Sequence, residues 1–342
     1  MKMRIIPFLL LIIFTSMKKT IYAQNSDFLF MIEQAIKAPS GHNTQPWLFK
    51  INDANIEIYP NLDKSLPVVD FDNRELFISL GCATENLCIA ASHKGYETFV
   101  SNNKEGVITI ELTKCDSVTP NPLFEQIAVR QTNRSEYNRN IIPIDTIEIL
   151  QTLPIETGIN VHFYKTGTQE FDTISNFVFR GNVLQMQDEA FKKELKQWMR
   201  YNKKHQNETN DGLSYAVFGA PNLPKFIIKP IMSKAVNEKS QNKGDKKKIE
   251  SSSHFILFTT NNNTVDEWIN LGRSLERFLL KSTELGIVHA YLNQPNEIRE
   301  LSEQMAELLN ISGEYTTILL RIGYGEKMPY SKRKGIENVM IE

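Results

Sequence analysis

Two stretches of this chain echo each other, and the echo limits what it can fold into. "LGCATENLCIAASHKGY" from Leu80 and "LGRSLERFLLKSTELGI" from Leu271 both open on Leu-Gly. They carry Glu85 and Glu276 at matching positions and reach Gly95 and Gly286 at matching distance. A β-rich run comes later in each half, Val107 to Leu112 and Thr316 to Ile322. The pattern reads as two degenerate copies of one α+β unit. The small residue in each start would let paired helices pack closely at a pseudo-dimer seam. The join falls near Pro120 and Pro122, giving halves of 25–118 and 119–342.

The periodicity fills in the first half. Phe28, Ile32, Ala35 and Ile36 recur at helical spacing after a cap at Asn25 or Ser26, and Pro39 forces Ala38 out of the helical region. Leu48 to Ile51 and Ile56 to Tyr59 alternate as two strands around Asn52-Asp53-Ala54-Asn55. A long apolar helix is expected from Arg74 to His93, stopping at Gly95. In the second half, residues from about 194 to 253 have no counterpart in the first. So long an insertion reads as a lid, or as a segment packed on the outside.

Composition removes several function classes. Lys and Arg total 39 against 40 Asp and Glu, so no nucleic-acid footprint stands out, and the basic run Lys243 to Lys248 reads as a solvated loop. Cys82, Cys88 and Cys115 lack metal-ligand spacing, the first two reading as small buried hydrophobes. The six histidines form no ligand pair, and no metal site is expected. Residues 1–24 have a basic start, an apolar stretch from Ile5 to Phe14 and a small residue, Ala23, before Gln24. This reads as a cleaved signal peptide, too short for a stable membrane anchor, and the expected location is periplasmic or secreted. Translation from Met17 would instead give a cytoplasmic product.

Two polar stretches carry the chemistry. "APSGHNTQPWLF" (38–49) places Pro39, Ser40, Gly41, Asn43 and Gln45 just ahead of Trp47, itself expected in the core. "LFEQIAVRQTNRSEYNRNIIP" reads as helical and brings Arg130 and Arg134 to one face, with Thr132 between them. Two guanidiniums converging on one point suit a phosphate; alternatively this is a solvated basic face paired to Glu125 and Glu136.

Together, "RQTNR" and "APSGHNTQPW" resemble the motifs of the nitroreductase superfamily. Their order on one chain is similar to that of its tandem-domain, Acg-like members, in which two half-copies form an intramolecular pseudo-dimer. The resemblance continues through "LGIVHAYLNQPNE", "LLRIGYG" and "SKRK". It implies a nitroreductase-like α+β fold binding one FMN per chain, because the first half has no Arg-x-Thr-x-Arg of its own. By the same resemblance Pro39, Ser40, Gly41 and Asn43 approach the flavin, with Gln45 holding the turn. Arg130, Gln131, Thr132 and Arg134 meet the phosphate, Tyr291, Leu292, Asn293 and Gln294 line the isoalloxazine, and Lys332 or Arg333 adds a phosphate contact. The implied activity is electron transfer through flavin N5 to a nitroaromatic or quinone, with NAD(P)H as an open choice of donor. The alternatives are a flavin-sequestering protein and a fold kept for interaction after loss of FMN. No residue is nominated as general acid or base. The expected partners are a small-molecule donor and acceptor, and an internal pseudo-dimer makes either a monomer or a further homodimer reasonable.

Overall fold

The computed structural model describes residues 26–342, so the signal-peptide reading of 1–24 lies outside the described residues. Helix α1 covers 26–35. The first half continues with β1 (Trp47–Ile51), β2 (Asn55–Pro60), α2 (Arg74–His93), β3 (Tyr96–Asn102) and β4 (Ile108–Lys114). Two short helices, α3 (Phe124–Ile127) and α4 (Ile144–Gln151), lead to β5 (Ile159–Lys165) and α5 (Gln169–Gln187). Next come α6 (Glu189–Trp198), β6 (Met199–Arg200), α7 (Lys203–Thr209), β7 (Leu213–Ser214), α8 (Lys225–Ala235) and α9 (Glu238–Glu250). The second half closes with β8 (His254–Thr260), α10 (Val265–Glu284), β9 (Val288–Tyr291), α11 (Arg299–Leu308) and β10 (Tyr315–Gly323).

The repeat read from the sequence is present in the topology. One sheet runs β1-β2-β4-β3 and the other β5-β8-β10-β9, with every neighbouring pair antiparallel. Element for element, β1 corresponds to β5, β2 to β8, α2 to α10, β3 to β9 and β4 to β10. The α+β class and the two-copy architecture both hold.

The seam lies where the Leu-Gly starts placed it. Helices α2 and α10 cross at Gly81 and Gly272: a β-carbon on Gly81 would lie 2.1 Å from the Ile269 carbonyl oxygen, and one on Gly272 2.1 Å from that of Ile78. Only glycine lets the two backbones approach so closely. A single apolar core spans the crossing, with Trp47, Leu80 and Leu87 from one half and Leu271, Phe278 and Leu320 from the other. In the second half β8 is buried on both faces. Ile256 and Phe258 point into the shared core, while Phe255 and Leu257 point into a second core under α5 and α11.

Three sequence expectations need correction. The segment without a first-half counterpart begins earlier than residue 194. It runs from the end of β5 to the start of β8, replacing the tight β1–β2 turn, and α5 was hidden in it because its apolar face packs into a core like any domain helix. The run Lys243 to Lys248 is helical, not a solvated loop. The buried Asp245 carboxylate in α9 accepts from Asn182 and Gln241, both at 3.0 Å, which draws the helix onto α5. Finally, the C-terminal tail belongs structurally to the first half: Phe49 of β1 donates its N–H to Val339 O (2.7 Å) and accepts from Ile341 N (2.9 Å), so the tail extends the first sheet.

Candidate functional site

The seam opens on one side into a cavity of about 820 Å³, within the range that holds cofactor-sized ligands. Several parts of the chain enclose it. The 39–43 turn and α2 come from the first half, the 127–134 segment with Tyr291, Asn293 and Gln294 from the second, the remaining walls being the insertion and residues 329–333 of the tail.

The turn quoted from the sequence is held under backbone strain. His42, Asn43 and Gln45 all have left-handed backbones, with φ of 47°, 57° and 56°. Side chains pin the conformation. Ser40 Oγ accepts from Gln45 N (3.0 Å), and Gln45 Nε2 donates to Asn210 O (2.9 Å) while its Oε1 accepts from Lys334 N (2.8 Å). Asn43 Nδ2 donates to both Gly212 O and Lys332 O (3.1 Å each), and Asn43 Oδ1 accepts from Arg333 Nη1 (2.7 Å). The turn therefore ties the insertion and the tail together at the cavity's edge. At Gly41 a β-carbon would come within 3.2 Å of Glu75 Oε2 and 3.3 Å of Leu66. Trp47 is fully buried, as expected of a core residue.

The 130–134 segment is not helical. Helix α3 stops at Ile127, and the chain then runs extended beside β9, with Thr132 paired to His289 and Asn133 N donating to His289 O (2.8 Å). The cause is tertiary. Buried Arg321 on β10 donates to the carbonyls of Asn133 (3.1 Å) and Ser135 (2.8 Å) and lies 3.9 Å over the Tyr137 ring, gripping the segment against the sheet. Arg130 and Arg134 both line the cavity in this extended conformation.

Charge in the cavity is unbalanced. Arg130 and Glu276 form a buried ion pair at 3.3 Å, and Arg130 Nη2 also donates to Lys37 O (2.7 Å). Arg134 has no carboxylate within ion-pair distance among the described residues, and neither has Arg333, whose hydrogen bonds go to Asn43 and to the carbonyls of Lys332 and Ala38. Burial and the neighbouring Arg130 pull Arg333 down to about 9, and burial with Arg321 lowers Arg134. Burial and then Arg134 push His42 down to about 4, so it is neutral at pH 7. Three guanidiniums thus face the cavity, and of the three Arg130 alone is ion-paired to a carboxylate among the described residues.

The same cavity is lined by a group of acids that the sequence did not single out. Burial raises Glu75, on the first turn of α2, to about 8, helped by the adjacent Glu297, itself raised to about 7. Both line the cavity. Asn293 Nδ2 donates to Glu75 Oε1 (2.5 Å) across the seam, and Gln185 donates to Glu297. Two acids in contact in this setting hold a shared proton at neutral pH. A glutamate in a helix's first turn is so common that no sequence signal marked Glu75.

Pro39, Ser40, Gly41, Asn43, Arg130, Gln131, Thr132, Arg134, Tyr291, Asn293, Gln294 and Arg333 all meet at the cavity. Three nominated residues do not. Leu292 points the other way into the second core, because successive residues at a strand's end face opposite sides. Gln45 and Lys332 hold the turn and the tail, Lys332 through its carbonyl. Gln131 turns its oxygen to Met328 N (2.5 Å), and Gln294 donates to Asn182 (3.1 Å) and Asp245 (3.3 Å), so both also serve the surrounding structure. Ile78, Cys82, Leu275 and Ile318 supply the apolar floor, and Met186, Phe191, Met199, Phe218, Ile228 and Met232 a wall from the insertion.

Comparison with known proteins finds relatives that carry the nitroreductase name. No family model matches the chain. The chain is similar to a Mycobacterium tuberculosis protein named "Putative NAD(P)H nitroreductase", 22% identical over 325 residues, which covers 90% of this chain and 88% of that protein. A second M. tuberculosis protein, also carrying the nitroreductase name and called acg, is 26% identical over 110 residues, 30% of this chain and 33% of the relative. Among solved structures, an FMN- and NADPH-dependent nitroreductase from a Sphingopyxis strain aligns with a TM-score of 0.42 at 12% identity, covering 65% of this chain and 99% of its own. A Desulfovibrio desulfuricans nitroreductase-like protein in complex with FMN gives 0.39 at 10% identity, covering 66% and 98%.

Proposed function

We propose that this nitroreductase-like chain is an FMN-dependent oxidoreductase that binds one flavin per chain and passes electrons from NAD(P)H to a nitroaromatic or quinone. The observation that carries the reading is the pair of arginines, Arg134 and Arg333, set in the cavity wall without a carboxylate partner. A buried cation without a counter-ion is costly, and a bound phosphate monoester would supply the missing charge. The likeness over 90% of the chain to a protein named "Putative NAD(P)H nitroreductase" supports the same donor and activity.

Within this reading the residues divide their tasks. Arg130, Arg134 and Arg333 hold the phosphate, with Thr132 offering a hydroxyl beside them. Ile78, Cys82, Leu275 and Ile318 provide an apolar surface for a flat ring, and the insertion excludes water from the opposite side. Glu75, protonated at neutral pH and coupled to Glu297, is the proton-holding group on the wall. When bound, FMN supplies hydride and electron transfer at its N5 position.

An anaerobic absorbance spectrum of purified, FMN-loaded protein tests the reading. A flavin band at one per chain that bleaches with NADH or NADPH is the expected result. A band that only dithionite bleaches would favour flavin sequestration, and no band after FMN addition would overturn the site.

A further inference from the structure

The insertion carries a feature that the cavity alone does not use. Helix α8 sits on the insertion through Ile228 and Met232, which are buried with Met199 and Tyr201. Its other side is apolar too, yet faces solvent. Phe226 is 79% exposed, Ile231 58% and Ile227 41%, with Leu223 just before the helix. The spacing of Leu223, Ile227 and Ile231 makes one stripe along the helix, and Phe226 widens it. Contiguous exposed side chains of this size mark an interaction surface rather than ordinary surface scatter.

Charge identifies the partner. From Gly212 to Asn237 the chain contains no aspartate or glutamate, while Lys225, Lys229 and Lys234 flank the stripe and are all exposed. Bulky apolar groups rimmed by lysine, without acids, match a helix lying in the headgroup region of an anionic bilayer, where the lysines reach phosphates and the apolar groups enter the acyl boundary. A self-contact between two copies would instead bring lysines together with no acids to meet them. The stripe also reaches the cavity: Ile231, Phe218 and Ala235 are exposed and line it.

We propose that α8 docks this protein on the surface of an anionic lipid bilayer, with the insertion's side of the cavity turned toward the lipid. This is peripheral seating and not a spanning anchor; no helix among the described residues is long and apolar enough to cross a membrane. The docking stands whether or not the cavity holds flavin. Resting on the oxidoreductase reading, it further selects an acceptor that dissolves in the bilayer, such as a lipophilic quinone.

Co-sedimentation of the full chain with phosphatidylcholine vesicles, with and without phosphatidylglycerol, tests the docking. Wild type should bind the anionic vesicles, and a Phe226→Ser, Ile231→Ser double variant should bind about tenfold more weakly with unchanged melting behaviour. Both proteins carry the same N-terminal segment, so the difference reports on α8. A Phe226→Trp variant gives an independent signal, a blue-shifted emission on adding anionic vesicles. Equal binding of wild type and the double variant, or a tryptophan that does not respond, would overturn the proposal. So would a wild-type dimer that the double variant dissolves, which would make the stripe a contact between copies. Flavin content is measured separately on the same samples, so loss of docking and loss of the cofactor reading remain distinguishable.

Discussion

The two sides of the seam begin from the same plan and end differently. Gly81 and Gly272 set the register of the repeat, in which Glu85 of α2 matches Glu276 of α10, Cys82 matches Arg273, and Asn86 matches Arg277. On one side Glu85 meets Arg273 (3.3 Å) and Arg277 (2.6 Å), and both arginines also contact Glu156. Two cations and two anions balance, and long side chains fill the space. On the other side Glu276 forms an ion pair with one arginine, Arg130, among the described residues, and the small Cys82 stands where its counterpart is an arginine. Space and net positive charge remain there together. One copy of the repeat has closed its site with a self-satisfied ion network, while the other has kept a cavity that calls for an anion. This gives a physical reason why the proposed function calls for one flavin, not two, in a molecule with two similar halves.

Breaking the two networks should have unequal effects. Arg130→Ala leaves Glu276 buried without its ion-pair partner, which costs about 3–5 kcal/mol of stability, and it removes part of the proposed phosphate cradle. Arg277→Ala leaves Glu85 with Arg273 and should cost about 1–2 kcal/mol with full flavin occupancy. Urea unfolding with a flavin assay on each variant makes the comparison. Equal losses in stability, or flavin loss in Arg277→Ala, would mean that the two sides are not distinguished in this way.

Arg134→Ala sharpens the contrast without disturbing a pair. No carboxylate loses its partner, so the flavin-free protein should melt at an unchanged or slightly higher temperature. FMN affinity should fall about 100-fold, the worth of a desolvated charge-assisted contact. Fluorescence titration of FMN into the apo-protein measures it. Wild-type affinity would remove Arg134 from the site.

Much of this organisation was legible in the sequence. The Leu-Gly echo located both seam helices because glycine at a backbone crossing has no substitute, and the Arg74 to His93 helix was readable from its unbroken apolar pattern. The 130–134 segment misled because its helical spacing is real, whereas the groups that hold it extended, Arg321 and His289, are far away in sequence. Leu292 misled for a local reason: motif neighbours on a strand alternate faces, so adjacency in the chain is opposition in space. Glu75 and Glu297 were illegible, since nothing in either local sequence says that folding will bring two carboxyls to one wall.

That acidic pair supplies the last prediction, and it concerns the carboxyl groups that line the same cavity as the arginines. Glu75 has a folded value near 8 against an ordinary 4.5, so the folded protein holds its proton more tightly than the unfolded chain. Its contribution to stability is therefore complete below about pH 4.5 and is lost as pH rises toward 8. Asp70 and Glu297, both raised to about 7, slope the same way, whereas His42 and His289, depressed to about 4 and 3, slope oppositely below pH 6.5. Glu75→Gln keeps an oxygen for Asn293 and removes one titration, leaving the others in both proteins. The variant should gain on wild type between pH 5 and 8.5 by about 1–3 kcal/mol, the gain growing steadily from pH 5 and levelling off above pH 8. Urea unfolding of the flavin-free proteins across that range measures the difference directly. A constant offset at every pH would show that Glu75 is already ionised in the folded protein, and the cavity's acidic pair would then carry negative charge instead of a proton.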